Sequence, residues 1–248
     1  MRFLTPLFVV LAALLAIIGW DALGGYALIR LFPALYRSEL GLYLAIKGGF
    51  ALLLALFFTL TGSWRRFGFT GGIAWRYWPA LLPIWLAAAV SAVQGIDVPE
   101  PLRLAGWFAV SLAVGFGEEG IFRGVILEAI RDAGTSAGRE RRAIVLSALL
   151  FGLAHLGAIT AADPHIVIGQ AAFATGIGLA LAWVRLAGGS IWPALIAHTV
   201  LDFFGIATSD GIAEAMRYSP SGFAYILGMA GFTLIWGGVL ASRPVRGA

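Results

Sequence analysis

The sequence predicts an all-α, polytopic membrane protein of about eight transmembrane helices, and three observations lead there. Sixty per cent of the 248 residues are hydrophobic and only 12% are charged, against about 45–50% and about 25% in soluble domains. Mean hydropathy is +0.90. Apolar runs close to the roughly 20 residues that a spanning helix needs follow one another along the chain. A soluble globular enzyme and a disordered chain are excluded on composition alone. Cysteine is absent, which removes thiol catalysis, disulfides and Cys-ligated zinc.

The first run, about 4–20, is continuously apolar from Leu7 to Trp20, and no small-x-small cleavage site precedes a soluble domain. It reads as a retained helix rather than a leader. Gly, Pro or charge then separates runs at about 39–61, 77–95, 103–130, 142–160, 165–186, 190–206 and 219–241. Between the second and third runs lies Thr61–Tyr77, TGSWRRFGFTGGIAWRY. Its mixture of Trp, Phe and Arg suits a segment lying on the inner membrane surface, and a plain basic connector fits as well. No repeat of 20–50 residues is visible, so residues 1–248 read as a single integral membrane domain.

Charge sets the topology. The formal charge of +4 could suggest nucleic acid, but the basic residues are scattered between apolar runs, so nucleic acid is not an expected partner and the lipid bilayer is. With the N-terminus inside, eleven of the 17 basic residues fall in cytoplasmic segments and four, Arg30, Arg37, Arg103 and Arg217, in external ones. That excess places both termini in the cytoplasm. Trp20, Trp64, Trp75, Trp78 and Trp192 lie near span ends, where indoles favour the interface. Sixteen of the basic residues are Arg, which points to a high-GC prokaryote and a multi-pass protein of its cell membrane.

An ionisable side chain inside a span is costly and marks a functional candidate. The strongest group is GFGEEGIFRG, residues 115–124, in the fourth run. Glu119 and Arg123 are four apart and stack on one helix face as an ion pair. Glu118 lies about 100° around the helix, without an obvious local partner, and an unpaired carboxylate in a dry site suits a proton acceptor. A polar latch between helices is the structural alternative, and it fits Glu119 with Arg123 better than Glu118. Two further groups follow: FGLAH, ending at His155, and HTVLD, with His198 and Asp202 on one face of the seventh run.

Depth supports their meeting. At 1.5 Å per residue, Glu118 lies ~18 Å from the inner end of its run, His155 ~20 Å from Arg142 and His198 ~12 Å from Ser190. Three alternately directed helices thus bring polar residues to similar depth, as the lining of one water-filled cavity requires. The remaining polar residues read more blandly. Lys47 snorkels or meets a carboxylate, Gln170 faces the cavity or bonds another helix, His165 beside Asp163 is interfacial, and Glu128 is solvated at the inner interface. Gly115, Gly117, Gly120 and Gly124 allow another backbone close.

EEGIFR at 118–123 resembles the EExxxR motif of the CPBP family, which comprises the CAAX prenyl endoproteases and bacteriocin-processing relatives. FGLAH at 151–155 resembles its FxxxH motif, and HTVLD at 198–202 its HxxxN/D motif. The approach GGSIWPALIAH, 188–198, is similar too. The likeness covers about 103–206 as a catalytic core, flanked by helices in 1–102 and 207–248. It implies an eight-helix bundle whose cavity opens to the cytoplasm, and a peptidase acting on membrane-associated proteins or peptides. Glu118 would be the general base and His155 would position the water. His198 and Asp202 would stabilise the oxyanion, and Glu119, Arg123 and Phe151 would support the site. The CAAX-processing members usually carry Asn where this chain has Asp202. A carboxylate donates a hydrogen bond only when protonated, so the alternative role for Asp202 is to orient His198.

Hydrolysis of an amide needs an activated water and a donor aimed at developing negative charge, and these residues supply both. No cofactor is expected. The same side chains are also zinc ligands, which keeps a metal-dependent membrane protease open, although HExxH is absent. A non-catalytic membrane scaffold or bacteriocin-immunity protein and a proton-relay transporter are the remaining alternatives; no inverted repeat or broken helix supports the last.

Overall fold

The structure is a computed structural model that describes residues 4–96, 100–134, 138–209, 211–217 and 219–245. Arg2 and Arg246, both counted in the topology, lie outside the described residues. Helices α1 (Leu4–Gly19) and α2 (Gly25–Leu31) are joined by a π-helical stretch, Trp20–Gly24. They are followed by α3 (Glu39–Thr61), α4 (Leu82–Val93, entered through a 3-10 turn at Trp75–Leu81) and α5 (Pro101–Glu119). A second π-helical stretch, Gly120–Ile126, leads into α6 (Leu127–Ala133). Then come α7 (Arg139–His155), α8 (Pro164–Gly188), α9 (Trp192–Ala207), the short α10 (Ile212–Ala215) and α11 (Pro220–Ser242). No strand occurs among the described residues, and the all-α membrane fold is borne out.

Six helical segments among the described residues are long and apolar enough to cross a membrane. The other two expected spans are helical where the sequence places them and fall short for different reasons. The run through α5 carries Glu118, Glu119 and Arg123 in its middle. Helix α9 is apolar but has only 16 residues, ~24 Å of rise against a hydrocarbon core of about 30 Å.

The first span is longer than its apolar run suggests, because the helix continues past Asp21 and the glycines to Leu31. Two contacts make that tolerable. Asp21 meets Lys47 of α3 at 2.7 Å, and Trp20 Nε1 donates to the Ile46 carbonyl at 2.7 Å. Lys47 is thus the paired cation that its place in a span requires.

Helix α8 is the most enclosed span, packed against α7 on one side and α11 on the other. Helix α5 lies between α3 and α9, and α9 also contacts α4. Glycine sets how closely these helices approach. A Cβ on Gly176 of α8 would run into Thr233 of α11, and one on Gly152 of α7 into Thr175 of α8.

At the end of the bundle that carries α6 the structure departs from one expectation and adds a contact network. The Thr61–Tyr77 segment is mostly exposed, but its middle packs inward. It turns into the bundle, where Phe67 and Phe69 are buried and form an aromatic cluster with Phe58, Trp64, Phe116 and Trp192. The rings gain burial while Arg65 and Arg66 beside them stay exposed, and Trp64 and Trp192 are partly buried against the cluster. The segment is pinned by Ile191 N donating to the Gly68 carbonyl at 3.1 Å and Trp192 Nε1 donating to that of Phe69 at 3.0 Å. Gly68 has φ +86, and a side chain there would strike the Arg185 guanidinium.

Glu128, expected to be solvated, is 2% exposed. Its carboxylate lies 2.5 Å from Arg131 and 3.0 Å from Arg185, and Arg185 also donates to the Arg66 carbonyl at 3.2 Å. Two arginines offset the desolvation of one carboxylate and tie α6, α8 and the inner loop together. At the opposite end Glu39 accepts from Ile212 N and Ala213 N at 3.1 and 3.0 Å, capping α10. Asp163 likewise caps α8 through His165 N at 2.9 Å, so His165 serves a helix end as expected.

The packing yields a direct test. Gly176→Leu should lower stability in detergent by about 1–3 kcal/mol or more through overpacking, while Gly228→Leu, which faces open space, should leave the melting temperature nearly unchanged. Equal melting of the two variants would contradict the close α8–α11 approach.

Candidate active site

Glu118 and Glu119 end α5, at the point where regular α-helical bonding gives way to the π-helical stretch that carries Arg123. Such wide turns occur mostly as local departures inside α-helices and are frequent at functional sites. The expected pair forms across this change: Arg123 Nη1 donates to Glu119 Oε1 at 3.0 Å, with both side chains fully buried. The Arg123 guanidinium also lies over the Phe151 ring, 4.1 Å from its centroid, a cation–π contact that adds favourable surroundings to a desolvated charge.

The same Glu119 Oε1 is 2.8 Å from Nδ1 of His198. A carboxylate paired to arginine accepts, so Nδ1 carries a proton and donates. The opposite ring nitrogen, Nε2, is thereby aimed at two other carboxyl groups: Asp202 Oδ2 at 3.5 Å and Glu118 Oε2 at 3.8 Å. The sequence left Asp202 a choice between orienting His198 and facing the reacting group. The orienting position behind the ring is held by Glu119, and Asp202 shares the Nε2 side with Glu118.

Glu118 remains the less committed carboxylate. Its Oε2 is buried and accepts no hydrogen bond within the described residues, although the side chain retains 19% exposure. It interacts through space with His198, His155, Lys47 and Arg123. His155, at the end of α7, has Nδ1 2.9 Å from the Phe151 carbonyl. A carbonyl can only accept, so Nδ1–H donates and Nε2 of a neutral ring is an acceptor. Phe151 lies edge-on to both imidazoles, with ring centroids 4.8 Å from His155 and 5.7 Å from His198. Phe122 packs against Phe151 in turn at 5.1 Å.

Glu118, Glu119, Arg123, His198 and Asp202 are therefore in direct contact, Phe151 floors the group, and His155 joins it through Phe151 and through space. The glycines act as anticipated. A Cβ on Gly115 would meet Thr199 of α9, on Gly117 the Phe50 ring, on Gly120 Leu54 and on Gly124 Phe67. Ser147 of α7 donates to the Phe122 carbonyl at 2.8 Å, a contact within the π-helical stretch. Sequence reasoning did not foresee this bond, the Glu119–His198 bond or the π turn. The second bridges 79 positions, and only the scarcity of buried ionisable groups hints at it. Gln170 is half-buried and makes no side-chain hydrogen bond among the described residues.

Among the described residues no set of three His, Asp and Glu side chains is arranged to hold a metal ion. A cavity of about 420 Å³ lies at the end of the bundle bordered by Arg76 and Arg243, not at this cluster.

What these elements define is a membrane protein with a buried carboxylate–imidazole centre. Residues 100–204 match the family model described as type II CAAX prenyl endopeptidase Rce1-like. The match agrees with the resemblance carried by the three motifs and supports a CAAX-protease-like membrane endopeptidase. No curated protein and no solved structure matches the chain.

Removing one partner of a buried pair strands the other charge, typically at about 3–5 kcal/mol. Arg123→Ala is expected to destabilise the protein by that order in thermal or denaturant unfolding. Arg66→Ala, which breaks an exposed pair with Asp132, should cost less than about 1 kcal/mol. Similar losses in the two variants would contradict a buried Glu119–Arg123 pair.

Proposed function

We propose that the protein is an intramembrane endopeptidase that hydrolyses peptide bonds of membrane-associated proteins or peptides with a water activated by Glu118. The observation that carries this reading is the aim of His198: its Nδ1 is tied to Glu119 at 2.8 Å while its Nε2 faces Glu118 at 3.8 Å. A proton acceptor and an imidazole donor thus flank one small volume, which amide hydrolysis needs.

In this mechanism Glu118 takes a proton from water as the water oxygen bonds to the scissile carbonyl carbon. His155, with Nε2 as acceptor, holds that water. The carbonyl π electrons move to oxygen, and His198, acting as an imidazolium with Nδ1–H held by Glu119, donates from Nε2–H to the resulting oxyanion. Glu118 then delivers its proton to the amide nitrogen, the C–N bond breaks, and an acid and an amine leave. Asp202 accepts from Nε2–H between turnovers and so keeps a proton at the donor atom. Glu119 and Arg123 hold the ring, and Phe151 packs beneath both imidazoles. The cluster would be reached from the cytoplasmic side, with both termini on that side, in keeping with the arginine distribution.

The test is cleavage of a membrane-anchored peptide by purified protein in proteoliposomes. Glu118→Gln and His155→Ala should each lower kcat/KM by about 10²–10⁴-fold while leaving the melting temperature within a few degrees of wild type. Cleavage should survive EDTA. Undiminished cleavage by either variant would remove the assigned roles. Loss on chelation with recovery on adding zinc would transfer the same residues to a metal-dependent mechanism.

A further inference from the structure

The inner end of the bundle holds a second site, independent of the peptidase reading. Its cavity, about 420 Å³, is bordered by Arg76, Tyr77, Trp183, Ala187, Arg243 and Pro244, within the roughly 300–1,000 Å³ of small-molecule sites. Three elements build it: the 3-10 turn before α4, the last turns of α8 and the residues just beyond α11. None of the bordering residues is acidic. The chain has no Asp or Glu between Leu40 and Ile96, along α8, or after Glu214.

The other carboxylates at this end are already engaged. Glu128 holds Arg131 and Arg185, Asp132 holds Arg66, and Glu140 holds Arg139. Arg76 and Arg243 are therefore left without an ion-pair partner among the described residues. Arg76 lies over the Tyr77 ring at 4.7 Å, and Tyr77 meets Trp183 edge-on at 5.8 Å. Trp183 Nε1 is a buried donor with no partner in the described chain. Two arginines and the Tyr77 and Trp183 side chains thus border a concave space at the end of the bundle.

Apolar surface continues from this charge in the direction a lipid tail would run. Ile235 and Val239, four residues apart on α11, are exposed at 72% and 47%, and Arg243 follows just past the end of that helix. Next to Arg76 in the chain, Trp75 is 64% exposed and tilted against Trp78, which stacks on Trp85. A small anion would use only the cationic part of this surface. A phosphodiester carrying acyl chains uses both parts.

We propose that this cavity binds the headgroup phosphate of an anionic phospholipid, held by Arg76 and Arg243, with its chains along the exposed face of α11. Basic pockets on the cytoplasmic side of membrane helices are suited to such headgroups, and guanidinium is the side chain best matched to phosphate oxygens.

The experiment is native mass spectrometry of the full chain released from bilayers containing phosphatidylglycerol and phosphatidylcholine. Wild type should retain phosphatidylglycerol selectively, and Arg76→Gln/Arg243→Gln should retain it about tenfold less. Arg65→Gln/Arg141→Gln, which removes equal charge from the same end, should behave as wild type. Inorganic phosphate in excess should not displace the lipid. The proposal is overturned by equal retention in the first double variant, by an equal loss in the second, or by displacement with free phosphate. If the first double variant unfolds, Arg243→Gln is compared with Arg243→Lys: the glutamine variant should lose lipid and the lysine variant keep most of it, and indistinguishable retention rejects the site.

Discussion

One carboxylate oxygen organises the centre of this protein. Oε1 of Glu119 receives both the Arg123 guanidinium and the His198 imidazole, in a place where an isolated charge would be expensive. The arginine makes the carboxylate tolerable, and the carboxylate fixes the imidazole. Neither contact is optional once the other exists, because loss of either leaves a desolvated group behind. The arrangement spans two helices, so the electrostatics also set how α5 and α9 meet. Gly115, against Thr199, lets the backbones come close enough for that bond to form.

Around this pivot the packing divides into layers. Toward the end that carries α6 stand Phe58, Trp64, Phe67, Phe69, Phe116 and Trp192, ring against ring. Below them the Glu128–Arg185 pair binds the inner loop to α8. The aromatic layer excludes water from one side of the centre, which strengthens every charge interaction within it. Glu118 Oε2 accepts no hydrogen bond among the described residues, while Glu119 engages both Arg123 and His198 through Oε1.

Most of the fold was legible in the sequence because bilayer thickness imposes a length on each apolar run, and because Gly, Pro and charge punctuate those runs. The four-residue spacing of Glu119 and Arg123, like that of His198 and Asp202, also translated directly into contact. What escaped depended on partners far away in the chain. Glu128 looked solvated because Arg185 is 57 positions distant, and Glu119 looked committed to Arg123 because His198 is 79 away. Phe67 and Phe69 alternate with Arg and Gly in a pattern that fits a membrane surface as well as a core. The π-helical stretch at Gly120–Ile126 has no local signature, since the spacing of side chains reads the same whichever backbone bonds form.

The same geometry explains how an ordinary set of residues becomes a candidate catalytic centre. An imidazolium with one N–H held and the other presented to carboxyl groups is a positioned donor, and a neighbouring carboxylate whose Oε2 accepts no hydrogen bond among the described residues is a positioned acceptor. Everything turns on the bond between Glu119 and His198. A double-mutant cycle with Glu119→Gln and His198→Gln, read by equilibrium unfolding, measures that bond most directly. The account predicts a coupling of about 0.5–3 kcal/mol. Strictly additive effects of the two substitutions would contradict it.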